Sequence, residues 1–135
     1  MTNSNTCCDK ISPYLRSIMR IAIGLLFMAH GGQKLLGYPA GGHRVEQLMT
    51  LMGLSAILEL FGGALILVGF LTRPTAFVLS GEMAVAYFKA HAFNGKGFWP
   101  VQNGGELAVI YCFVFFYLAA AGAGPLSIDA FRKKG

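Results

Sequence analysis

Acidic residues are scarce in this chain: six Asp and Glu stand among 135 residues. Charged residues of both signs make up 13%, about half the share of an ordinary soluble domain. That scarcity excludes a surface solvated on every side. Cysteine is sparse too, with three residues and no C-x-x-C spacing. A dithiol redox centre, a zinc site and a cysteine-held iron–sulfur cluster therefore lack their residues. Cys7 and Cys8 are adjacent, and neighbours in sequence seldom pair with each other; Cys112 stands alone in an apolar run and reads as a small core residue. No glycine-rich dinucleotide fingerprint occurs. The net charge is +5, but no basic stripe interleaves with aromatics, so nucleic acid is excluded as a partner. The basic residues flank apolar runs instead, as in a protein whose partner is the lipid bilayer.

Hydrophobic residues are what the chain has in plenty: 55% of it, gathered in long blocks. Blocks of about 18 residues or more read as transmembrane helices, because in lipid a helix satisfies its own peptide groups. Residues 1–135 are long enough for one membrane domain. The expected fold is all-α: an antiparallel bundle of four transmembrane helices, spanning approximately 17–37, 54–71, 75–91 and 106–123. Thr72-Arg73-Pro74 breaks the chain tightly between the second and third spans, and Gly122, Gly124 and Pro125 end the fourth. Val45, Leu48, Met49 and Met52 fall at helical spacing, which predicts a short amphipathic interfacial helix over 43–52, between helices 1 and 2. Trp99, at a span end, reads as an interfacial anchor.

With four antiparallel spans, Lys10, Arg16, Arg20, Arg73, Arg132, Lys133 and Lys134 share one side, and Lys34, Arg44, Lys89 and Lys96 the other. The positive-inside rule then places both termini in the cytoplasm. Arg16, Arg20 and the cluster 132–134 read as headgroup anchors, with Arg20 near enough to the first span's start to snorkel. The first span is too long for a cleaved signal peptide, and no lipidation motif is present.

Polar residues inside the spans carry the functional signal. Glu59, Glu82 and Glu106 place one carboxylate in or at the edge of each of the second, third and fourth spans. A carboxylate near the bilayer centre costs about 2.5–3.5 kcal/mol even on lenient scales. Compensation is at hand: His30, Gln33 and Lys34 end the first span, and Lys89 and His91 end the third. The expected topology brings all of these to the outer half of one bundle. His30 and Lys34 are four apart and share a helix face. Glu59-x-x-Gly62-Gly63 reads as a packing seam beside a polar site. His30, Gln33, Lys34, Glu59, Glu82, His91 and Glu106 are the candidate ligand-binding residues. The plainer alternative is that buried Glu–Lys and Glu–His pairs only set helix register. Glu106, Ile110, Phe113 and Tyr117 make a stripe better suited to packing or lipid than to a cofactor, and His43 reads as a solvated loop residue.

The segments HGGQKLLGY, LELFGGALILVGFLTRP, EMAVAYFKAH and GFWPVQNGGELAVIYCFVFFYLAAAGAGPLSID resemble, in order and spacing, the DoxX family of small four-helix bacterial inner-membrane proteins. The resemblance runs from Arg20 to Phe131 and implies a bacterial inner-membrane location. The family takes its name from a subunit of a thiosulfate:quinone oxidoreductase, and related members look like membrane partners of redox or thiol-stress proteins. It therefore implies a quinone-linked redox subunit acting on thiol, sulfur or oxidative-stress chemistry beside an oxidoreductase partner. In that reading His30, Lys34 or Glu59 hydrogen-bonds quinone oxygens, while Glu82 or Glu106 with His91 relays protons. A non-catalytic anchor or assembly partner, and a small-solute transporter working as a homodimer, stay open beside it.

Overall fold

An unbroken apolar run in lipid has no water to satisfy its peptide groups, so the chain must satisfy them itself. In the computed structural model, which describes residues 7–135, it does so by helix throughout, with no strand among the described residues. The first six residues of the expected single domain lie outside that range. Helix α1 spans Cys7–Leu36, α2 spans Leu51–Val68, and α3 runs over Thr72–Ala86. A π-helical turn, Tyr87–Ala92, continues α3. The short α4, Pro100–Asn103, leads into α5, Glu106–Ala121, and α6 is Ile128–Arg132. Both α1 and α2 are long and apolar enough to cross a membrane, and α5 is a shorter apolar helix. Leu25, Leu26, Phe61, Phe77, Phe113 and Phe116 all point outward. So much exposed apolar surface demands a lipid solvent. The stripe of Ile110, Phe113 and Tyr117 belongs to it.

Close backbone approach joins α1 to α2. A Cβ added at Gly24 would lie 2.6 Å from the Leu67 nitrogen, at Gly31 2.2 Å from the Leu60 nitrogen, and at Gly63 2.6 Å from the Met28 nitrogen. Gly62 instead meets the Leu79 side chain of α3. The paired glycines thus serve two neighbours, one on each side of α2. Gly31→Ala is expected to cost about 1–3 kcal/mol through overpacking, read as a lower thermal midpoint in detergent micelles. An unchanged midpoint would show that the two helices part freely. Between the helices, Phe27 packs edge-on against Phe115 with ring centroids 4.8 Å apart, and Ile66, Leu79 and Leu118 close the core around them.

The expected interfacial helix over 43–52 does not form. Residues 41–50 are bends, turns and irregular chain. Thr50 ends them by capping α2: its hydroxyl accepts from the Gly53 amide at 3.1 Å. Leu51 and Met52 consequently belong to α2. Gly53 lies against the backbone of Leu48, so the chain turns sharply onto that first helical turn. Met49 is left fully exposed. Helical spacing was present, but two glycines precede it and the Thr50 cap restarts the helix within it.

Arg20 does not snorkel. It is 0% exposed. Its Nε donates to the Ala123 carbonyl at 2.9 Å, and its terminal nitrogens donate to Ile66, Leu67 and Leu126 carbonyls. These are the chain ends of α2 and of the loop after α5, where backbone acceptors outnumber donors. Asp129 performs the converse task. Its carboxylate accepts from the Leu71 and Thr72 amides, both at 2.9 Å, at the start of α3. Leu71 there has a left-handed backbone, φ 48°, which costs a branched residue energy; Asp129 holds the turn. Partial burial pushes the Asp129 carboxyl up, but the Thr72 and Leu71 donors and nearby Arg132 outweigh it, so the net shift is downward.

Candidate functional site

At the opposite end of the helices, the last turns of α1 and α3 meet the first turns of α2 and α5. Between them lies a cavity of about 800 Å³, within the size range of small-molecule sites. Its wall is largely apolar, with Phe27, Leu54, Val78 and Met83 among its members. His30, Lys34, Ser55, Glu59, Glu82, Lys89, His91 and Tyr111 supply polar groups.

The centre of the polar set is an ion pair. Lys34 Nζ lies 2.6 Å from Glu59 Oε1. Ser55 completes a triangle, its hydroxyl 3.0 Å from the same oxygen and 3.4 Å from Nζ. The Lys34 side chain is 26% exposed and that of Glu59 only 4%. Glu59 Oε2 and both oxygens of Glu82 are out of reach of solvent and accept no hydrogen bond among the described residues. Lys34, Ser55, Glu59 and Glu82 share the cavity wall. Buried carboxyl oxygens left in this state are acceptors awaiting a donor.

Local helix geometry puts Glu59 there. Leu58–Gly62 forms a π-helical turn inside α2, and His91 and Lys89 sit in the second such turn. The wider turn re-aims the side chains it carries, and such turns recur at functional sites. Gly31 of α1 passes against the backbone of Glu59 and Leu60, which draws Lys34 and Glu59 together.

The remaining expected residues differ in placement. The His30 ring stands edge-on to Tyr111, centroids 6.2 Å apart. His91 Nδ1 lies 3.1 Å from the Asn103 carbonyl oxygen. A carbonyl only accepts, so Nδ1 carries the proton and Nε2 of the neutral ring is an acceptor. Asn103 in turn is tied to the Gly97 and Phe98 carbonyls and to the Gly105 amide. Tyr87 donates to the Phe98 carbonyl as well. Glu106 is exposed in the first turn of α5, outside the cavity wall. Gln33 is likewise off the wall, against Gly42 of the following loop. Ser55 and Tyr111 line the cavity although neither stands among the expected residues. Ser55 was discoverable, since it stands four residues before Glu59 on the same helix face. Tyr111 carried no signal within an all-apolar helix.

The family model for DoxX matches residues 15–92, more than half of the chain. The chain belongs to the DoxX family. Its DoxX segment contains most of α1 and all of α2 and α3, with seven of the cavity's eight polar members: His30, Lys34, Ser55, Glu59, Glu82, Lys89 and His91. An uncharacterized protein of Haemophilus influenzae is 39% identical over 132 residues, covering 93% of this DoxX chain and 97% of the relative. The inner membrane protein YqjF of Escherichia coli is 33% identical, over 87% of this chain and 91% of its own. An uncharacterized membrane protein of Mycobacterium tuberculosis is 29% identical, over 82% and 77%. No solved structure matches this chain. Exposed apolar helices and family membership together make it a DoxX-family integral membrane protein.

Proposed function

We propose that this cavity binds a membrane-soluble quinone and that the protein is a quinone-linked redox subunit of the bacterial inner membrane. One observation carries the reading. A Lys–Glu–Ser triangle and the Glu82 carboxyl, whose oxygens accept no hydrogen bond among the described residues, line a largely apolar cavity of about 800 Å³. A quinone couple uses that combination: apolar walls for its ring and tail, a donor such as Lys34 Nζ for the carbonyl oxygens of the quinone, and carboxyl acceptors for the O–H groups of the reduced quinol. Its reduction takes up two electrons and two protons. Lys34 would donate a hydrogen bond to one oxygen while remaining paired with Glu59. His30 lies on the same wall and offers a ring N–H. Glu82 and His91 would hold protons between the cavity and the outer surface, with His91 Nε2 as the accepting atom.

In this reading α1, α2, α3 with its π-helical turn, and α5 each cross the bilayer, and both termini are cytoplasmic. The positive charge at the end bearing Arg16, Arg73, Arg132 and Lys133 supports that orientation. The inner-membrane description of the Escherichia coli relative supports the location. Electrons come from a partner oxidoreductase of thiol, sulfur or oxidative-stress chemistry.

The test is lipid-extract mass spectrometry on the mildly purified protein, with quinone titration of wild type and Glu59→Gln. A stoichiometric quinone is expected, with binding at least about tenfold weaker in the variant, because Lys34 loses the carboxylate that holds its ammonium in the cavity and with it one charge-assisted hydrogen bond to the quinone. Absence of quinone, or equal affinity in both proteins, would overturn the reading. The exposed Phe98 and Trp99 rings beside the cavity favour an anchoring role as the second reading. Loss of a co-purifying oxidoreductase in Trp99→Ala, with no quinone bound, would establish that one instead.

A further inference from the structure

At the end of the protein away from the cavity, a second hollow of about 530 Å³ lies between the α5 C-terminus, the α2–α3 turn and α6. Arg16, Arg73, Arg132 and Lys133 line it, against a single acid, Asp129. That acid is already engaged, because its two oxygens accept the Leu71 and Thr72 amides. It therefore leaves most of the surrounding positive charge unanswered.

Two of the arginines are tied to backbone carbonyls, although Arg73 and Arg132 reach solvent. Arg16 Nη1 donates to the Ala121 carbonyl at 2.9 Å, and Arg73 Nη1 to the Ala120 carbonyl at 2.7 Å. Consecutive carbonyls of one helix end thus fix two guanidinium groups side by side. Each has five N–H donors, so each keeps several for a ligand. The Nε of Arg16 is out of reach of solvent and has no hydrogen-bond partner among the described residues. A buried donor in that state calls for an acceptor. Arg132 is positioned by the Phe70 ring, 5.3 Å from guanidinium carbon to ring centroid. Fixed, neighbouring like charges with spare donors make an anion site.

We propose that this hollow binds the phosphate of an anionic phospholipid headgroup. Depth selects lipid over a soluble anion. Leu71 belongs to the hollow's wall, and Leu15, Phe77 and Leu126 present exposed apolar side chains at the same end. The apolar surface stops there and the cations begin, which is the level of headgroup phosphates. Basic pockets between helices at that level are built to take such groups. Guanidinium forks match phosphate oxygens in pairs. The inference is independent of the quinone reading, which concerns the opposite end.

The experiment uses the full chain in neutral detergent, titrated with phosphatidylglycerol or phosphatidylcholine and read by native mass spectrometry. Phosphatidylglycerol is expected to be retained in preference. Arg73→Gln and Lys133→Gln should each weaken its retention about fivefold, the equivalent of about 1 kcal/mol per basic residue, with phosphatidylcholine retention unmoved. Lys133→Gln leaves both α5 carbonyl contacts intact, so its loss cannot come from misfolding. Lys96→Gln, in the loop at the other end, should change nothing. Equal retention of the two lipids, or a preference that survives both Arg73→Gln and Lys133→Gln, would overturn the proposal. So would displacement of the lipid by millimolar inorganic phosphate, which would assign the site to a soluble anion.

Discussion

Arg20→Met is expected to lower stability by about 3–5 kcal/mol. The guanidinium is fully buried and serves carbonyls at Ile66, Leu67, Ala123 and Leu126. Methionine fills part of the volume and supplies no donor, so the four carbonyls lose their guanidinium, and among the described residues only Ile66 keeps a backbone donor, the Gly69 amide. Two of them end α2, and the other two lie in the loop that turns the chain toward α6. Losing Arg20 therefore loosens α1, α2 and the C-terminal segment together. Arg20→Lys should recover only part of the loss. An ammonium carries three donors in a compact head, while the carbonyls are spread to match a planar fork. Thermal unfolding in detergent micelles measures both. A midpoint for Arg20→Met within a degree or two of wild type would show that the carbonyls find other donors.

The second large effect is an asymmetry at the cavity. Lys34→Met is expected to cost about 3–5 kcal/mol, because it strands a buried carboxylate. Glu59→Gln should cost clearly less. Its partner Lys34 is 26% exposed at the side chain, and a long flexible stem can carry the ammonium toward water. The double substitution Lys34→Met with Glu59→Gln should regain most of the Lys34→Met loss, since neither half leaves a naked charge. Ser55 remains to bond the new amide, as its hydroxyl already lies 3.0 Å from that side-chain position. The three thermal midpoints form a double-mutant cycle whose coupling isolates the pair. Equal losses for the two single variants, adding up in the double, would mean that the pair contributes nothing beyond its parts.

The cavity end and the arginine end make different demands on their residues. At the cavity, Oε2 of Glu59 and both oxygens of Glu82 have no donor among the described residues, a cost that a purely structural cluster would tend to avoid. At the arginine end, Arg16, Arg20, Arg73 and Asp129 each serve backbone groups at or beside a helix terminus. The contacts that hold segments together gather at the arginine end, beside the anion hollow, and the unpartnered acceptors at the cavity end. Gly24, Gly31 and Gly63 connect them by bringing α1 and α2 into backbone contact along their length.

Local pattern by itself determined the helices and the sort of solvent they need. Long apolar blocks with six acids in the whole chain leave helix in lipid as the way to satisfy the backbone. Spacing of four residues put His30 and Lys34 on one face, because an α-helix returns to that face at that interval. Tertiary structure alone decided which way each face turned. A step of one residue rotates a side chain by about 100° around a helix, so Leu107, Ala108 and Tyr111 reach the cavity and neighbouring Glu106 does not. The same rotation, set by packing against α2, turns Arg20 inward onto carbonyls from segments distant in sequence. The π-helical turn at Leu58–Gly62 and the cap that restarts the chain at Thr50 also arise where helices meet. Hydropathy is a sum over neighbours in sequence; the direction of a side chain depends on neighbours in space.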